Sequence, residues 1–120
     1  MDAEELETFF APVLAIRSRR MFGGIGIYDG DAMFALSVAG RLYLKTDEVT
    51  RPRFAEAGSE PFRITMRGAL SETSYWRFPD SGLGSTAARA EWVALAREAS
   101  ARAAGRKIRR RGSPSPGRPR

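Results

Sequence analysis

The 120-residue chain contains neither cysteine nor histidine, which excludes disulfides, thiolate or imidazole metal sites, Ser-His-Asp and Cys-His catalysis, and an imidazole switch near neutral pH. Its length fits one domain able to bury a core without covalent or metal staples. The net charge of +6 is unevenly placed: residues 1–98 carry 12 basic side chains against all 14 acids, whereas residues 99–120 carry the other 8 basic residues and no acid, so the basicity belongs to the tail.

The chain opens on Asp2 with Glu5 three residues later, a capping box, and Leu6, Phe9, Phe10, Val13 and Leu14 recur at helical spacing. Pro12 lacks an amide proton and clashes with the preceding turn, so this first helix is expected to kink or end near residue 11. The acidic start has no basic segment followed by an apolar one, unlike a secretory signal. No apolar run approaches the roughly 18 to 20 residues that span a bilayer. A cytoplasmic protein with no membrane role is the expectation.

From Arg20 the apolar period shortens toward two, and Asp29-Gly30-Asp31 and Ala39-Gly40 mark hairpin turns. Alternation predicts a three-stranded antiparallel meander with Met21, Ile25, Ile27, Phe34, Leu36, Val38, Leu42 and Leu44 on one apolar face. Thr50 is a suitable N-cap for a short helix with Pro52 in its first turn, Phe54 as anchor and Gly58 as its stop. Phe62–Met66 and Ser74–Phe78 alternate again and predict a second hairpin, with Phe62, Ile64 and Met66 facing the core alongside Trp76 and Phe78. Ser85 caps a long alanine-rich helix whose Ala88, Trp92, Leu95, Ala96 and Ala99 form one stripe, ending at Gly105. Residues 105–120 hold one aliphatic side chain and no periodicity, so they are expected to be a disordered basic tail.

The order α-β-β-β-α-β-β-α predicts an α+β, two-layer domain over residues 1–104, with a five-stranded antiparallel sheet covered by helices on one face.

Gly23-Gly24-Ile25-Gly26 suggests a phosphate-binding loop, but its context is wrong. A dinucleotide fingerprint joins a strand to a helix, and a P-loop needs Gly-Lys-Ser/Thr, whereas these glycines run on into a strand and a hairpin turn. They fit a bulge, a strong twist or a close approach of another backbone. If one face is buried, alternation puts Tyr28, Arg41, Tyr43, Lys45, Arg63, Thr65, Tyr75 and Arg77 on the other, with no acid among them. Three uses of that face stay open: ordinary cross-strand pairing, a homodimer face, or stacking and phosphate neutralisation on single-stranded nucleic acid. The tail presents Arg102, Arg106, Lys107, Arg109, Arg110, Arg111, Arg118 and Arg120, which suit non-specific phosphate binding or simple solvation. Lys45 falls on the open face rather than in a catalytic pocket. Asp29 and Asp31 read as turn residues, since the rest of a calcium loop is missing. Asp47 and Glu48 read as turn or helix-start residues. No convergent acid–base or nucleophile pair emerges, so the expectation is a protein that is not an enzyme, without cofactor or metal.

Arg19-Arg20-Met21-Phe22-Gly23-Gly24-Ile25-Gly26-Ile27-Tyr28, followed by Met33-Phe34-Ala35-Leu36, Gly40–Lys45, Arg51-Pro52-Arg53-Phe54, Gly58–Phe62, Tyr75-Trp76 and the late Trp92 helix, resembles the TfoX (Sxy) N-terminal domain over most of residues 1–104. In that motif Arg20, Met21, Phe22, Gly23, Gly24 and Gly26 are structural. The resemblance implies an α+β domain engaged in transcriptional control of DNA-uptake competence through protein partners of the transcription machinery. Some members act as co-activators with the cyclic-AMP receptor protein. It supplies no catalytic set. Better-known members carry a further C-terminal helical domain, where this sequence has its basic tail.

Overall fold

The computed structural model describes residues 1–21 and 23–112. In chain order it places helix α1 (Ala3–Phe10), strands β1 (Arg17–Met21), β2 (Gly24–Asp29), β3 (Ala32–Val38) and β4 (Arg41–Lys45), helix α2 (Arg51–Glu56), strands β5 (Pro61–Met66) and β6 (Ala69–Arg77), a 3₁₀ turn (Asp80–Gly82), and helix α3 (Thr86–Gly112). The fold is α+β. The six strands form one antiparallel sheet in the order β1-β2-β3-β4-β6-β5.

Local chemistry sets the helix ends. Asp2 accepts from the Glu5 amide while the Glu5 carboxylate accepts from the Asp2 amide, closing the capping box. Two residues before Pro12, α1 stops. Pro52 occupies the first turn of α2 as expected, but Thr50 makes no side-chain cap. Asp47 instead closes the turn that leads into α2, its Oδ1 accepting from the amides of Val49 and Thr50. Ser85 Oγ accepts from the Ala88 amide at the start of α3.

All three helices contribute to a single core on one side of the sheet. Leu6 and Phe10 of α1, Phe54 of α2, and Val93 and Ala96 of α3 bury against Ile27, Phe34, Ala35, Leu42, Leu44 and Phe78. Phe10 meets Phe34 edge-on at 5.5 Å, and Phe54 packs on Trp92 at 4.9 Å.

Six expectations are corrected. The sheet has six strands, because Arg17–Met21 pairs with Gly24–Asp29 across a tight turn at Gly23. That strand, Arg-Ser-Arg-Arg-Met, lies at the edge and is mostly exposed, so it needs no apolar alternation. The turn also reverses the chain, which puts Met21 opposite Gly24 and away from Ile25 and Ile27. In β3 the pairing shifts between Ile27↔Ala35 and Tyr28↔Met33, making Phe34 a bulge residue. Phe34 and Ala35 are therefore both buried, and Leu36 and Val38 turn to the far side of the sheet while Ser37 faces the core.

In β5, Pro61 pairs with Trp76 on the core side, so Phe62 and Ile64 fall on the far side as well. Met66 is exposed rather than in the core. Finally, Gly105 does not end the last helix, which runs to Gly112. A disordered segment from residue 105 is thus not observed through Gly112, and residues 113–120 lie outside the described residues.

Candidate interaction surface

With every helix on one side, the sheet's other side is left open, and strand register fixes what stands on it. One cross-strand row runs Arg19, Gly26, Leu36, Tyr43, Arg77. A second joins Met21, Gly24, Val38 and Arg41, while Arg17, Tyr28 and Met33 form a third and Lys45 pairs with Tyr75.

Six of the eight expected face residues, Tyr28, Arg41, Tyr43, Lys45, Tyr75 and Arg77, take the predicted side. Arg63 sits at the opposite register position from Phe62 and Ile64 and pairs with Glu72 at 3.4 Å and Glu60 at 3.6 Å. Its strand twists enough that Arg63 still joins Arg41, Tyr43 and Arg77 around a polar hollow of about 330 Å³. Thr65, beyond it, is exposed on the projecting hairpin.

The three tyrosines differ in their accessibility. Tyr43 is only 8% exposed, because Phe62 folds over it with ring centroids 5.0 Å apart, so it cannot serve as a stacking platform. Tyr28 and Tyr75 are half-buried. Burial, with a smaller contribution from Tyr28, pushes the Tyr75 hydroxyl up to about 12, so it stays a neutral hydrogen-bonding group. Lys45 donates to Ser74 Oγ at 2.8 Å and lies 5.3 Å from the centre of the Tyr75 ring.

Sequence alternation missed an apolar groove of about 480 Å³ on this side, walled by Met21, Met33, Leu36 and Val38 on one flank and by Phe62, Ile64 and Tyr75 on the other. The warning was the run Met33-Phe34-Ala35-Leu36, four apolar residues without alternation, which one strand buries on one face only by bulging. The glycine motif serves the same region by close approach. A methyl on Gly24 would run into the Ser37 carbonyl oxygen of the neighbouring strand, and the bare Gly26 lets the Met21 and Met33 side chains meet above it. Of the motif's remaining residues, Arg20 is exposed on the edge strand, and Phe22 lies outside the described residues.

Next to the groove, β6 continues beyond its pairing with β4, so the β5–β6 hairpin overhangs the sheet. Its tip turns at Arg67-Gly68, both with positive φ, the two-residue turn that suits strand twist. Met66 and Leu70 beside the tip are 55% and 73% exposed.

Of the basic residues expected in a tail, Arg102 is committed to structure, gripping Asp47. Arg106 is exposed on α3. Lys107, Arg109, Arg110 and Arg111 fall on the last turns of that helix, and their side chains lie outside the described residues. Among the described residues no helix is long and apolar enough to cross a membrane.

A model of the TfoX N-terminal domain matches residues 8–100. The chain is also 33% identical over 73 residues to DNA transformation protein TfoX1 of Aliivibrio fischeri, an alignment covering 61% of this chain and 35% of that relative. The match therefore spans about a third of the relative's length.

Proposed function

Because this chain belongs to the TfoX N-terminal domain family, we propose that it is a non-enzymatic regulatory module of competence-related control, acting through contacts with proteins of the transcription machinery. The observation that supports a contact mechanism is the overhanging hairpin. Met66 and Leu70 expose most of their surface near the tip of an arm whose base borders the arginine-lined hollow of Arg41, Arg63 and Arg77, and exposed apolar side chains of this kind commonly mark a protein-binding surface. Capture on purified RNA polymerase and transcription factors tests it: the full chain should be retained, and Met66→Ser with Leu70→Ser should lose retention at unchanged melting temperature. Equal retention of both forms removes the hairpin from the mechanism.

A nucleic-acid-binding accessory role is the second reading. It is favoured by the open side itself, where Arg17, Arg19, Arg41 and Arg77 stand at exposed positions, and by the helical end of the chain carrying Arg106 and the basic positions after it.

A further inference from the structure

The groove on the open side is shaped like a small-ligand site rather than a flat contact patch. Its volume of about 480 Å³ falls within the range of pockets that bury small molecules. Its walls are aliphatic, aromatic and thioether side chains, and its polar groups, Thr73, Ser74 and Tyr75, come from one short stretch of β6. Long apolar walls with a localised polar end match a molecule of the same build.

Charge chooses the head group. The Lys45 ammonium is half-buried and hydrogen-bonded to Oγ of Ser74, a residue of the groove lining. Among the described residues no carboxylate lies within ion-pairing distance of it. Burial lowers its pKa, and the positive charges of Arg106 and Arg51 act in the same direction against Asp47. A partly desolvated ammonium with two cationic neighbours gains most from an incoming anion. One ammonium beside two hydroxyls offers a point charge rather than the planar fork that suits phosphate, and so fits a monocarboxylate.

We propose that the groove binds an amphiphilic carboxylate of the medium-chain fatty-acid type, its alkyl chain along Met21, Met33, Leu36 and Val38 and its head at Lys45, Ser74 and Tyr75. The two methionines suit this role, because unbranched thioethers repack around a flexible chain. Both rest their thioether ends on bare Gly26, where no side chain fixes them in place. The site is separate from the hairpin tip, so its failure would leave the protein-contact reading standing.

The test is methionine-methyl NMR of the full chain, titrated with sodium decanoate below its micelle concentration. The Met21 and Met33 methyls should shift saturably while Met1 stays still. From hexanoate to decanoate each added methylene should tighten binding about fourfold. Lys45→Met should weaken decanoate about tenfold or more, as loss of a charge-assisted bond does, yet leave 1-decanol binding unchanged; Lys45→Gln gives the same comparison should Met disturb the fold. No saturable shift at Met21 and Met33, or equal decanoate affinity in wild type and the Lys45 variants, overturns the proposal. A dimer by light scattering whose Met21 and Met33 signals ignore decanoate also overturns it, and assigns the groove to a second copy.

Discussion

Arg102 holds Asp47 with both arms of its guanidinium, at 2.6 Å to Oδ2 and 3.1 Å to Oδ1. The same carboxylate closes the turn leading into α2 through the amides of Val49 and Thr50. One buried acid thus ties the long last helix to the β4–α2 connection, just past the end of β4 where Lys45 stands. The Arg102 hydrogen bond is the main reason that Asp47 titrates at about 2 instead of 3.8, with the backbone amides adding to it against the opposing effect of burial.

A lowered carboxylate pKa stabilises the fold wherever the unfolded chain would bind the proton first. The contribution of Asp47 is therefore complete above about pH 4 and lost as pH falls through its folded value near 2. Its size is roughly 2 kcal/mol at neutral pH. Urea unfolding of Asp47→Asn should show that deficit at pH 7 and little deficit near pH 2. An equal deficit at both pH values would mean that the ion pair is not its source.

Arg89 performs a similar task at the other end of α3. Its guanidinium stacks 3.8 Å from the Phe9 ring centre and donates to the carbonyls of Phe9, Gly82 and Leu83. Lysine cannot reproduce a planar group with three divergent donors. Arg89→Lys should lower stability by about 1.5 to 3 kcal/mol, seen as a lower urea midpoint at an unchanged slope. A midpoint within error of wild type would show those carbonyls to be equally well served by water.

The two strand glycines should respond differently to alanine. At Gly24 the new methyl meets the Ser37 carbonyl, backbone that moves only if β2 and β3 separate. Gly24→Ala should cost about 2 kcal/mol or more. At Gly26 the methyl meets the Met21 Cε at 2.8 Å and the Met33 Cε at 3.2 Å, the ends of flexible chains. Gly26→Ala should cost under about 1 kcal/mol while reshaping the groove wall. Thermal melts of both proteins decide the order, and a reversed order would refute the close-approach account of Gly24.

Both ends of α1, the place of Pro52 in α2 and the core anchors were legible in the sequence because they rest on local chemistry: the Asp2–Glu5 box, Pro12, Pro52, and the phenylalanines at residues 10, 34, 54 and 78; the end of α3 was not. Which apolar residues face the open side was not legible. A period-two pattern carries no memory of an inserted residue, so the bulge at Phe34 inverts everything after it in β3, and the pattern does not reveal that Pro61 pairs with Trp76, the register that sets Phe62 and Ile64 on the far side in β5. The positions of the basic and tyrosine face residues survived, since most lie in β4 and in β6 after its irregularity, where pairing is regular. The edge strand was missed for a different reason: with three arginines in five residues, it joins the sheet mainly through backbone pairing and shows no apolar alternation.

The helical course of residues 105–112 changes what a deletion there removes. Cutting after Gly105 takes away Arg106, Lys107, Arg109, Arg110 and Arg111 together with two further arginines, but none of the core and neither Arg102 nor Asp47. If five of these cations neutralise phosphates, the log-log dependence of duplex DNA affinity on salt should have a slope near about −4.5 for the full chain. The shortened chain should bind with a slope reduced by that amount, and without sequence preference lost, since such contacts position without specifying. Titration of labelled DNA at several salt concentrations measures both slopes. Undiminished affinity and slope after the cut would move DNA binding to Arg17, Arg19, Arg41 and Arg77 on the open side.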